Sequence, residues 1–135
     1  MIETLLIPEK TVIAAKGEGE PFEITGAQNR VFLLSLKISQ AVEQESLDVS
    51  VFGSANGNAW DAKPLAVFPQ RFYSGETPIL MDLTEQPEIK FVRAKWDVNR
   101  WGRGPTEPMF EVGLSLKEVP REILAEARTE ATSRK

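Results

Sequence analysis

The chain has 135 residues, 41% of them apolar, a net charge of −4, a sequence pI of about 5.0, and neither cysteine nor histidine. That length suits one domain with its own core, and the apolar share excludes a disordered chain. The acidic balance argues against general nucleic-acid binding. Without cysteine there are no disulfides or thiolates, and without histidine no histidine bases, no Ser-His-Asp systems and few zinc sites.

Glu3–Ile7 and Thr11–Ala15 are short apolar runs separated by Pro8, which cannot donate to a sheet ladder and suits an edge or a bend. No basic region or cleavage site marks a signal peptide, and no stretch approaches the roughly 18 apolar residues of a membrane helix. The expected location is the cytoplasm or a particle assembled there, with no membrane or nucleic-acid partner. Gly17–Pro21 and Gly26–Asn29 read as turns around a brief strand at Phe22–Ile24. Val31–Ser39 reads as a central strand with Phe32, Leu34, Leu36 and Ile38 on one face. Ala41–Ser46 is a polar, acidic connection. Leu47–Phe52 alternates again, with Leu47, Val49 and Val51 inward.

Ser54–Trp60 contains Asn56-Gly57, the dipeptide that most readily supplies two residues with positive φ. It predicts a tight hairpin with Trp60 packed back over it. Leu65–Phe68 lies between Pro64 and Pro69, and Arg71-Phe72-Tyr73 and Thr77–Leu83 follow. A corner at Gln86-Pro87 leads into Ile89–Val98, with Val92, Ala94, Trp96 and Val98 on one face and Arg93 and Lys95 on the other. Met109–Lys117 sets Phe110, Val112, Leu114 and Leu116 against Glu111, Gly113, Ser115 and Lys117. Short strands with regular turn signals predict an all-β, antiparallel, jelly-roll-like β-sandwich over residues 1–118. The remaining tail, 119–135, holds helix formers from Pro120 to Arg128 and predicts a short helix or arm.

Between Ile89 and Gly104, Lys90, Arg93, Lys95, Arg100 and Arg103 stand against the single acid Asp97, which leaves −8 for the rest of the chain. The candidate binding site is Arg93, Lys95, Asn99, Arg100, Trp101 and Arg103, with Arg71 and Tyr73 expected on the same surface. One reading is a protein interface, since arginine and tryptophan are enriched among interface anchors. Another is a sugar platform with Trp101 as the stacking face and Asp97, Asn99 or Arg100 bonding hydroxyls. A third is that the arginines pair with the chain's own carboxylates.

Asp82, Glu85 and Glu88 at one corner, and Glu43 and Glu45 in another loop, read as solvated surface acids. A glycosidase would need two carboxylates about 5–9.5 Å apart across a cleft, and nothing in the pattern indicates one. Asp48, Asp61 and Asp82 lack the spacing of a calcium loop. Gly17-Glu18-Gly19 and Gly102-Arg103-Gly104 lack the helix and lysine of a phosphate loop. No catalytic residue, metal or cofactor is expected.

The run Ser54-Ala55-Asn56-Gly57-Asn58-Ala59-Trp60 resembles the S-x-[DN]-G-x-x-W hairpin of many bacterial and phage β-sandwich proteins. Together with Leu47–Phe52 before it, Phe91–Trp96 after it and the closing run Gly104–Phe110, it resembles small virion-associated β-sandwich proteins of tailed phages and prophages. Galactose-binding-like and discoidin-like modules share the same turn. The resemblance implies a non-catalytic structural or interaction module, a subunit or decoration of a larger assembly whose partner is a protein, including further copies of itself. Its alternative is a carbohydrate-binding module that takes a glycan on the Trp101 loop.

Overall fold

The computed structural model describes residues 2–41, 45–100 and 110–120, with Arg100 by its backbone alone. Nine strands run through them: β1 (Glu3–Ile13), β2 (Gly17–Glu18), β3 (Phe22–Glu23), β4 (Val31–Ala41), β5 (Glu45–Ser54), β6 (Ala66–Val67), β7 (Gly75–Asp82), β8 (Phe91–Arg100) and β9 (Phe110–Glu118). The first sheet has the order β1-β9-β4-β7 and the second β2-β8-β5-β6, with β3 also on β8; every pairing is antiparallel. β5 covers one flank of β8 along its length, so β2 and β3 share the other flank as one interrupted strand. Strands adjacent in the chain then lie in opposite sheets, β5 and β6 excepted. This is the winding of a jelly roll, as the sequence predicts. No helix occurs among the described residues, and the expected C-terminal helix lies, from residue 121 onward, outside them.

The alternation in the sequence translates directly into the core. β4 contributes Phe32, Leu34, Leu36 and Ile38, and β9 contributes Phe110, Val112, Leu114 and Leu116. Facing them are Leu47, Val49 and Val51 of β5 and Val92 and Ala94 of β8, all buried in one cluster with Ile7, Ile13, Phe68 and Met81. Each fully buried large side chain contributes about 1.5–3 kcal/mol relative to exposure. Period two cannot say which strands pair. β8 and β9, consecutive in the chain, lie in opposite sheets, and β9 is instead inserted between β1 and β4.

Three local expectations are corrected. The two runs around Pro8 form one strand, and the ladder to β9 shifts register twice, between Leu5 and Ile7 and, at the larger bulge, between Ile7 and Thr11. Lys10 adopts φ 60° there and the Thr11 hydroxyl donates to the Pro8 carbonyl (2.6 Å), so the extra residues are absorbed without ending the strand. The bulge presses Glu9 onto Gly113, where a Cβ would stand 3.1 Å from Glu9 Cα. Gly17–Glu18 is a strand on β8 and not a turn. Glu45 and Ser46 are buried at the start of β5, in register with Arg100 and Asn99, because the β5–β8 ladder continues past the acidic run expected to be loop.

The sheet edges are closed by proline, bulges and brevity. Pro78, midway along β7, is in register with Ser35 and has no N–H. That pair is therefore a non-hydrogen-bonded one, and the Pro78 nitrogen faces the free edge. β1 carries Pro8 and its bulge on the opposite edge. In the second sheet the edge strands are two residues each, and beyond the reach of β2 the Val98 N–H is taken by the Asp97 carboxylate (2.9 Å). Such features discourage edge-to-edge strand pairing.

Glu118, at the end of β9, is fully buried. Its carboxylate accepts from the Ile2 amide (3.0 Å), the Gln28 amide (3.0 Å), the Asn29 amide (2.9 Å) and Asn29 Nδ2 (2.7 Å). Burial alone pushes the carboxyl upward. The Ile2 amide, the Asn29 side chain and the Asn29 and Gln28 amides together outweigh it and hold the group below its ordinary value.

Candidate functional site

The outer face of the second sheet carries the predicted cations of β8. Alternation sends Arg93, Lys95, Asp97 and Asn99 outward, opposite Phe52, Ser50, Asp48 and Ser46 of β5. Arg93 lies between two partners: its guanidinium stands 4.2 Å from the centre of the Trp60 ring and 3.2 Å from the Glu18 carboxylate. Lys95 Nζ lies 4.6 Å from the centre of the Phe52 ring. Each cation–π contact is worth about 0.5–1 kcal/mol at such partly exposed positions, and more where water is excluded. Arg93 thus pairs with one of the chain's own carboxylates, yet its position and that of Lys95 are set by aromatic neighbours.

The Ser54–Trp60 segment explains why Trp60 is there to receive Arg93. Ser54 Oγ accepts from the amides of Asn56 (3.2 Å) and Gly57 (2.9 Å) and donates to the Ala59 carbonyl (2.5 Å). Asn56 Oδ1 accepts from the amides of Asn58 (2.8 Å) and Ala59 (2.9 Å). Gly57 has φ 82° and lies against the Phe91 ring, 3.4 Å from where a Cβ would stand. Asn56 does not take positive φ, so this is a wider turn than the expected tight hairpin, closed by a bridge between Ser54 and Trp60. Each motif residue has a structural task, and Trp60 presents its ring to the Arg93 guanidinium.

Beside the cations, Lys16, Glu18, Asp48, Ser50, Phe52 and Trp96 border a shallow depression of about 600 Å³. Trp96 is half-buried with its indole against Gly17, so one ring edge belongs to the core and the other to this depression. Asp48 also accepts from Gln70 Nε2 (3.1 Å).

Arg71 and Tyr73 do not join this surface. Arg71 pairs with Leu47 on the far flank of β5, level with Val98, and the chain then crosses to β7 of the first sheet. Asn99 is exposed on the β8 face, and Arg100 ends that strand. Trp101 and Arg103, with the Gly104–Pro108 run, lie outside the described residues. Asp48, Asp61 and Asp82 are dispersed over β5, the chain after the turn, and β7 of the opposite sheet. Among the described residues no three acidic side chains converge as a metal site.

No protein-family model matches the chain, and comparison with curated proteins finds no match.

Proposed function

We propose that the chain is a non-catalytic structural or interaction module, a subunit or decoration of a larger assembly such as a phage-like particle, that binds a protein surface with the outer face of its second sheet. The observation that carries this reading is the row of cations held over aromatic rings, Arg93 on Trp60 and Lys95 on Phe52. Arginine and aromatic residues dominate interface anchors, and side chains already fixed lose little further freedom on binding. The closed sheet edges add support, since they leave faces and loops as the surfaces through which a partner is met.

Light scattering behind size exclusion, from low to high micromolar protein at two salt concentrations, tests it. A defined oligomer that weakens with salt, and weakens further in Lys95→Glu, is the expected result. A strict monomer under all conditions removes self-assembly.

The depression bordered by Phe52, Trp96, Asp48 and Ser50 favours a second reading, a carbohydrate-binding module, because it sets polar hydrogen-bonding groups beside aromatic surface. That reading expects a change in tryptophan fluorescence on adding oligosaccharide without any change in oligomeric state.

A further inference from the structure

A second surface lies where the chain leaves the second sheet for the first. Arg71 is fixed there by its backbone, which donates to the Leu47 carbonyl (3.0 Å) and accepts from the Leu47 amide (2.8 Å). Its Nε is buried without a hydrogen-bond partner, and among the described residues no carboxylate lies within ion-pair distance of it. A guanidinium has five donors and no acceptor, and at least the Nε donor of this one is unused in a chain with surplus acids. Next to it Phe72 and Tyr73 form a tilted pair with ring centres 6.4 Å apart, and Tyr73, at 78%, is the most exposed large hydrophobic side chain among the described residues. Arg71, Phe72, Tyr73, Ser74 and Thr77 line a cavity of about 260 Å³. Its one acid, Glu76, is engaged by the Ser35 hydroxyl (2.8 Å).

From this arrangement we infer that the Arg71–Tyr73 corner docks an acidic segment of a protein partner, with a glutamate or aspartate carboxylate on the Arg71 guanidinium and the neighbouring chain against the two rings. A carboxylate is the planar acceptor that a guanidinium binds through two parallel bonds. The cavity is smaller than that of a typical small-molecule site, and matches one inserted side chain. Arginine beside exposed tyrosine is the composition of a protein-binding anchor. A nucleic acid would offer acceptors too, but a phosphate backbone needs a run of cations, and among the described residues Arg71 is the one cation lining this cavity. The inference concerns a different part of the molecule from the Arg93–Lys95 face and stands or falls separately from it.

Tyr73 is the single tyrosine of the chain, so protein made with 3-fluorotyrosine has one fluorine resonance, at this corner. The probe is a blocked hexaglutamate peptide at low salt, with hexalysine and sodium acetate as the other arms. The expected result is a saturable shift with hexaglutamate alone, weakened about tenfold or more in Arg71→Met and weakened in the wild type by added salt. Arg71→Met keeps the packed stem, and an unchanged melting temperature shows that the variant is folded. The salt series tests the charge contribution without any substitution. No shift with hexaglutamate overturns the proposal. So does an equal response to acetate, which marks a small-anion site, or to hexalysine, or a response that survives unchanged in Arg71→Met.

Discussion

Glu118 shows how one side chain ties distant parts of the chain together. Its four donors come from Ile2 and from Gln28 and Asn29, so the amino-terminal strand and the loop before β4 close on the last residue of β9. Because the folded carboxyl lies below its ordinary value, its contribution is fully present above the unfolded value and is lost as pH falls through the folded one. Glu118→Gln substitutes an amide that cannot accept at both positions, and is expected to cost about 2 kcal/mol or more near neutral pH. Urea midpoints should show that gap at neutral pH and a smaller one at about pH 3, where the wild-type carboxylate is itself being protonated. A gap of equal size at both pH values would show that charge is not the cause. Glu118 falls in step with the inward residues of β9, two after Leu116, so parity alone points it inward; what the sequence does not show is which donors fold over it. Ser54 is the opposite case. Its place in the S-x-N-G-x-x-W run was legible, and the structure supplies the reason, a hydroxyl with three backbone partners.

At the level of elements, alternation identified β4, β5, β8 and β9 with their inward faces, because period two is a local property and burial on one face is enough to impose it. Pairing was not legible, since it depends on which strands meet after the chain has crossed between sheets. Pro8 reads as suiting an edge or a bend, and β1 is an edge strand with a bulge there; what the sequence does not show is that the backbone at Lys10 and the small Gly113 opposite let the ladder resume, so that two runs make one strand. Pro78 has a role that β propensity alone would not suggest. It removes a donor from the middle of the free edge of β7, the outer strand of the first sheet. Pro78→Thr restores that donor on a strand of eight residues with Leu80 exposed. The variant is expected to stay folded and to exceed the wild type's mass in light scattering by a margin that grows with concentration. If its mass matches the wild type's at every concentration, Pro78 is not what protects the edge.

For the whole molecule, the charge asymmetry seen in the sequence becomes a division of surfaces. Arg93 and Lys95 share one outer face, as expected from their odd-numbered positions on β8. Arg71 and Tyr73 were grouped with them on composition, but composition carries no information about the flank of β5 on which a returning chain lands. The order of strands has a further effect on stability. β9 is both the last strand and an inner one, with β1 on one side and β4 on the other. A chain stopped at residue 109 therefore loses the partner of β1, half of the pairing of β4, and Phe110, Val112, Leu114 and Leu116 from the core. It is expected to lack a cooperative thermal transition by circular dichroism, where the full chain has one.

The position of β9 also bears on how the protein is made. A ribosome delivers a chain from its amino terminus, and β1 precedes its sheet neighbour among the described residues by 97 to 114 positions. The first sheet cannot close, nor can the Glu118 carboxylate collect its donors, until β9 is outside the exit tunnel. During synthesis the apolar faces of β1 and β4 wait uncovered, and the prolines and bulge that guard the finished edges protect the nascent chain as well.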